Sequence, residues 1–504
     1  MMKERAKINT KRIGMATGIL LIILFLFVIQ IHAQVEKSVP VQENSIDKSA
    51  ADKVKEDPPK IVKASEASVS KEEQSLVDQL IKARKAGNTN EVKNTEIKIA
   101  ALHGRKLSYI KASDLKARET HTAPKANAPG KDPCITCNTV HESLQFLKIV
   151  HDQNNYLWTA VSDRDHFYVY RSTDNGSTWS LWENISESND NPSVSSLAIA
   201  GNWLFVAVKI YPSTMSAGLR VYKISTINGS WDIASIWPGG DIVSGQIVTD
   251  YTEWPSNWWV YLVYMTSGGD IEFTKSIDQG ASWSSSNIIA SVDPRSTWSD
   301  HSLDYGGGYL HLAMTDLQYP SPAAPEQIDY IHSSNYGYSW SSKVSLTGIG
   351  DDSSHPTVAA VKSYSRGNGN VVIAYTRNWA NSGDMDVWYA YSTDHGATWR
   401  TNHCLACRGS AASPVTEIEP AATASDNLGY IQAVYVKNTG GVIYGGQGFV
   451  YGSYTAYNTP GSLTSGVYLN SGPNATSPTI TAKSLTAGVA WLNLSAGQVG
   501  FISW

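Results

Sequence analysis

The sequence predicts an all-β protein, a β-propeller of four-stranded blades set behind a leader and a low-complexity segment. Three observations predict it. A turn motif, S-x-D-x-G-x-[ST]-W, recurs along the chain. Its copies and their worn remnants are spaced by 50 to 59 residues, the length of four short strands with their turns. The composition also suits strands: only 17% of 504 residues are charged, while 39 Gly, 17 Trp and 26 Tyr supply turns and pleated, half-buried surfaces.

In chain order the leader comes first. Lys3, Arg5, Lys7, Lys11 and Arg12 precede an almost wholly apolar run from Ile13 to Ile31, and Ile31-His32-Ala33 before Gln34 resembles a cleavage site. Residues 1–33 are therefore expected to be a signal peptide or an uncleaved signal anchor, since a run of this length nearly spans a bilayer. Either way the rest of the chain is exported, to an extracellular, periplasmic or cell-surface location. Membrane contact is expected only through this segment, if it stays uncleaved.

Residues 34–133 are rich in Lys, Glu, Ala and Ser, with no Trp and Tyr109 as the one large aromatic. Such a stretch buries too little apolar surface to offset its ordering entropy, so a solvated spacer is expected. Leu76, Leu80 and Ile81, then Val92, Ile97 and Ile99 to Leu102, hint at two short amphipathic helices split at Gly87-Asn88-Thr89-Asn90. A partner-binding helical hairpin is the alternative. Charge divides at the same boundary: residues 1–133 carry +8 and residues 134–504 carry −13. An acidic body lacks the basic side chains that phosphate contact needs, which excludes nucleic acid as its partner.

The body, 134–504, holds the repeat. Its clear copies centre on Asp174-Asn175-Gly176 with Trp179, Asp278-Gln279-Gly280 with Trp283, and Asp394-His395-Gly396 with Trp399. A degenerate copy has Asn335, Gly337 and Trp340, and Asn228-Gly229-Ser230-Trp231 is a remnant. The Asp or Asn folds back on nearby backbone N–H groups, Gly takes the positive-φ position, and the Trp packs beneath the turn. Alternating strands precede each copy, and several units open on Pro: Asn191-Pro192, His355-Pro356, Glu419-Pro420 and Ser477-Pro478. The count is seven units, with six as the alternative. The last shows only three strands, and a segment before Leu144 is a candidate for its outer one.

These turns, at this spacing, resemble the Asp-box (BNR-repeat) propellers of the sialidase-like superfamily, over about residues 140–504. The resemblance implies that the boxes are peripheral and structural, with any ligand on the opposite face. That face is built from second-to-third-strand loops and unit-to-unit connections. A sialidase needs three arginines to fork onto a carboxylate, an Asp acid/base and a Tyr–Glu pair. The resemblance places Arg164 and Asp165 at the second arginine and the acid, and Arg377 at a later arginine. Arg295 and Arg408 fit less well, and the first-blade stretch Leu144 to Val150 has no Arg. Two suitably spaced carboxylates among Asp300, Asp316, Asp384, Glu417 and Glu419 suffice for another glycosidase. Trp254, Trp258, Trp298, Tyr319 and Trp379 are candidates for stacking on sugar faces.

Expected function follows from the missing arginine. The chain reads as a non-catalytic, carbohydrate-directed binding module, with binding candidates Arg295, His301, Asp316, Tyr319, Trp379, Asp384 and Glu419. A sialidase-type glycoside hydrolase using Arg164, Asp165, Arg377, Asp300 and Glu417 is the alternative, and an assembly or adhesion scaffold is the second. Partners are then a glycan or a cell-surface protein, with no required cofactor. His301, His355 and His395 read as turn and cap residues. Cys134, Cys137, Cys404 and Cys407 form two C-x-x-C pairs. Export favours disulfides, which between the pairs would staple the body's entry to a unit connection; a structural zinc site at all four is the alternative.

Overall fold

Seven antiparallel sheets follow one another along residues 145–503 among the described residues. The computed structural model describes residues 60–64, 70–104, 107, 109–111, 145–163, 165–186, 191–211, 218–236, 242–293, 300–319, 324–348, 350–362, 367–378, 384–407, 416–424, 430–438, 448–455, 467–468, 475–483, 486–493 and 498–503. All of these fall in one compact unit, Pro58–Trp504. The expected signal or anchor segment, 1–33, lies outside the described residues. Among those described, no helix is long and apolar enough to cross a membrane.

Each sheet is laid down in simple up-and-down order. The leading strands are Gln145–His151, Ser193–Ala200, Ile242–Thr249, His301–Gly306, Asp352–Ala360, Thr416–Ala424 and Ala475–Lys483. Each packs against the leading strand of the next sheet, and the seventh packs against the first. That closed ring of sheets is the arrangement of a β-propeller, and it shields each leading edge against its neighbours on the ring axis. The seventh sheet has three strands among the described residues. It meets the first sheet by packing, with Phe501 edge-on to Trp179 at 5.1 Å.

The prolines that open the units have a shared backbone consequence. His355, Glu419 and Ser477, each just before Pro, sit at φ 54°, 54° and 49°, and each lies in a bulge of its leading strand. A left-handed non-glycine residue is strained, and a bulge re-aims its side chain out of the pleat. The three bulges all fall at the start of the leading strand, on the face opposite the tryptophan turns.

The repeated turn is satisfied from within. Gly176 N–H donates to Ser172 Oγ at 2.8 Å, and Thr178 N–H and Oγ1–H donate to the two Asp174 oxygens at 2.8 and 2.6 Å. The same bonds recur around Asp394, and their counterparts around Asp278 and Asn335. What the sequence conceals is the reason for the glycine. A Cβ on Gly176 would lie 1.7 Å from the Phe501 ring, and one on Gly396 would lie 1.9 Å from the Tyr330 hydroxyl, each aromatic coming from the preceding sheet. The box Trp grips the same ring, Trp399 edge-on to Tyr330 at 4.7 Å. The turn is thus a staple between blades as well as within one. Gly176→Ala adds backbone strain at φ +84° to overpacking, and is expected to cost about 2–4 kcal/mol in denaturant unfolding. A cost under 1 kcal/mol would mean that Phe501 is not wedged there.

The segment expected to be a spacer is docked where it is described. Helix α1 spans Lys71–Lys85 and α2 spans Thr89–Leu102, split at the turn the sequence marked. Ser70 and Asn88 cap them by accepting the N–H groups of Glu73 and Glu91. Val77, Leu80, Ala83, Val92 and Ile99 bury against Trp259, Tyr261, Phe273 and Tyr336 of the third and fourth sheets. Ile97 and Leu102, expected on the apolar face, are exposed instead. Two short strands extend the strap: Ile61–Lys63 pairs with the outer strand of the fifth sheet, and Tyr109–Lys111 pairs with Ser282–Ser284.

Buried polar groups fasten the hairpin. The Arg84 guanidinium meets Asp250 at 2.7 Å and lies over Trp259 and Trp254. Lys275 Nζ meets Glu96 at 2.8 Å, and Tyr338 donates its hydroxyl to the same carboxylate. Asn335 Nδ2 donates to Glu73 Oε1 at 2.8 Å. That last bond explains the degenerate box. An amide can donate to Glu73, whereas the usual aspartate would place two carboxylates face to face.

Candidate functional site at the mouth of the ring

The face carrying the bulges holds two polar groupings. The first rings the mouth itself, where the leading strands begin. Asp300, with its side chain about half exposed (46%), lies 3.5 Å from His355 Nε2. His355 Nδ1 is 3.0 Å from Ser354 Oγ. Glu419 accepts from Thr476 Oγ1 at 2.8 Å and from the Ser477 N–H at 2.6 Å, joining the sixth and seventh sheets. Deeper in, His301 Nδ1 pairs with Ser244 Oγ at 3.0 Å. Burial lowers the His301 pKa to about 4, and burial lowers that of Lys148 against the pull of Asp300.

The second grouping lies in the wall between the fifth and sixth sheets. Arg377, near the end of a second strand, is buried, ion-paired with Asp351, 4.6 Å over Trp388 and bonded to Asn402. Glu417 is fully buried, 3.2 Å from Lys437 Nζ. Asp384 and Asp386 open the neighbouring strand, both buried. Burial raises the Asp386 pKa to about 8, with the charges of Asp384 and Glu417 adding to the effect. A carboxylic acid whose pKa is held up beside other carboxylates is a pairing that acid/base chemistry uses.

The structure thus brings together Arg377, Asp384 and Glu417 from the expected set, and separately Asp300, His301 and Glu419. Asp386 was missed. The alternation in Asp384-Met385-Asp386 at a strand start was the available signal, since residues two apart share a face. Asp165 is exposed on a hairpin of the first sheet, its N–H donating to Asp163. Asp316 is tied elsewhere, to Lys343 and the Asp293 N–H. Tyr319 is exposed, whereas Trp258 is core against Phe205 and Trp254 lies under Arg84 rather than on the mouth. Arg164, Arg295, Trp298, Trp379 and Arg408 lie outside the described residues, as do Cys134 and Cys137. The expected cross-pair bridges need correction, because Cys404 is bonded to Cys407 within its own pair. Both sulfurs are thereby removed from thiolate ligation, and a zinc site at all four cysteines does not fit this arrangement.

No family model and no curated protein matches the chain. Among solved structures, it is similar to a protein of unknown function from Dyadobacter fermentans at 11% identity and TM-score 0.41, covering 77% of this chain and 98% of that one. It is also similar to the NanB sialidase of Streptococcus pneumoniae at 12% identity and TM-score 0.38, covering 74% and 69%. A third is the Trypanosoma rangeli sialidase at 13% identity and TM-score 0.38, covering 68% and 60%.

Proposed function

We propose that the chain is an exported, seven-bladed Asp-box propeller that holds a glycan at the mouth of its ring without hydrolysing it. The observation that carries this reading is Arg377. Its guanidinium is ion-paired with Asp351, bonded to Asn402 and 1% exposed, so forking onto a sialic-acid carboxylate would require it to leave Asp351, itself only 14% exposed. Asp300, about half exposed at the mouth beside His355, is suited instead to hydroxyl recognition.

The test uses the full chain with a fluorogenic sialoside and a glycan array. No turnover is expected, and Asp300→Ala should weaken the best array ligand at least tenfold, about 1.4 kcal/mol. Turnover of the sialoside would overturn the reading. One observation favours a second reading, a glycosidase of another type: Asp386 keeps its proton at neutral pH beside Glu417. Hydrolysis of any array glycan that disappears in both Asp386→Asn and Glu417→Gln would establish it.

A further inference from the structure

A hollow of about 320 Å³ opens on the ring axis at the end opposite the mouth, where the leading strands finish and the tryptophan turns lie. Six sheets, and Lys362 just past the leading strand of the fifth, contribute to its wall, so it belongs to the axis and not to a crevice between two blades. Ala198, Ala200, Ala424 and Ala482 are among the small apolar residues of its wall. Its volume is at the lower end of the small-molecule range, roughly 300–1,000 Å³.

The chemistry of a ligand follows from which polar atoms at the rim are already used. The acceptors are used. Asp304 takes Lys362 Nζ and the N–H groups of Tyr305 and Ala360. The Asp152 carboxylate takes the Asn154 and Tyr156 N–H groups and Trp158 Nε1. Gln153 Oε1 takes the Tyr251 hydroxyl. The donors are not. Lys483 Nζ gives one N–H to the Asp152 carbonyl at 2.7 Å, and no carboxylate pairs with it among the described residues. An ammonium has three N–H groups, so two remain for a ligand at the rim of the hollow. Beside it, burial and then the Lys483 charge lower the His151 pKa to about 4, so the imidazole is neutral at pH 7.

We infer that this axial hollow is a second ligand site, taking a small organic carboxylate whose stem rests on the alanine wall and whose charge is held by Lys483. A rim whose carboxylates are already satisfied and whose lysine has N–H groups to spare rewards a ligand that brings a carboxylate. The docked hairpin has a part in this. Tyr251 follows Asp250, and Arg84 holds Asp250, so the strap orders the loop that forms one wall.

The test is titration calorimetry of the full chain with D-glucuronate and butyrate, each against its uncharged counterpart, D-glucose and butanol. At least one carboxylate should bind tenfold or more tightly than its counterpart. Lys483→Met should weaken that binding at least tenfold, while Lys82→Met, an exposed charge on α1, leaves it unchanged. In the unsubstituted chain, the bound carboxylate should raise the His151 pKa followed by NMR, a readout that does not depend on the variant folding. Equal binding of the neutral counterparts, no binding of either carboxylate at millimolar concentration, or an unmoved His151 titration would each overturn the proposal.

Discussion

Arg84→Met is expected to cost about 3–5 kcal/mol and to release the helical hairpin from the ring. The arginine and Asp250 are 1% and 0% exposed, and the carboxylate also accepts the Trp259 N–H and the Tyr261 hydroxyl. Burial opposes the charge on both partners and raises the Asp250 pKa, but for Arg84 the pull of Asp250 together with Tyr261 and Tyr336 outweighs it and holds the pKa above the ordinary value. Removing only the cation leaves a buried carboxylate without its counter-charge, which is costlier than removing the pair. The double variant Arg84→Met with Asp250→Asn should therefore recover a substantial part of the loss. Hydrogen exchange separates release from global unfolding. In the single variant, amides of α1 and α2 should exchange rapidly while the leading strands stay protected. If the helices remain protected, the apolar contacts of Val77, Leu80 and Ile99 are what hold the hairpin, and the clamp is dispensable.

The same residues show why the docking was hidden in the sequence. Locally the helices were legible: the breaker at Gly87-Asn88-Thr89-Asn90 and the apolar spacing fall where α1 ends and α2 begins. Their destination was not. Arg84, Glu73 and Glu96 look like the solvated charges of any polar helix, and their partners lie 173, 262 and 242 residues further along. Low hydrophobicity argued for a spacer, but the apolar surface that orders it belongs to the third and fourth sheets. The blades were legible because each tryptophan turn closes its own hydrogen bonds within eight residues. The candidate site was legible only as a face. Which charges on it are open, as Asp300 is, and which are walled in, as Arg377 is, depends on pairing with Asp351, across a strand ladder that no spacing reveals.

Acidification from pH 7 to 4.5 should destabilise the ring. His151, His301 and His332 are each lowered to about 4, His311 is lowered further, and burial is the first cause in every case. Lys483, Lys148, His395 and Lys362 add like-charge repulsion around them. An unfolded histidine takes its proton near pH 6.5, whereas these native ones resist until about pH 4 or below. Between those values the unfolded chain binds more protons, so stability present above pH 6.5 is lost as the pH falls. Three carboxylates act in the opposite sense. Asp386 and Asp329, raised to about 8 and about 6, and Asp250, raised by burial, are protonated in the fold before they would be in the unfolded chain, and gain with acid. Burial lowers His395 as well. At about 1.4 kcal/mol per pH unit for each titrating group, four or five histidines outweigh three carboxylates, and the net loss is about 1.5–3 kcal/mol per pH unit. Denaturant midpoints at pH 7, 6 and 5 check the slope. His332→Gln, which removes one of the resisting imidazoles, should make it shallower by about 1.4 kcal/mol per unit. A slope that is flat, or that steepens in the variant, would show that the packed histidines carry their protons in the native ring.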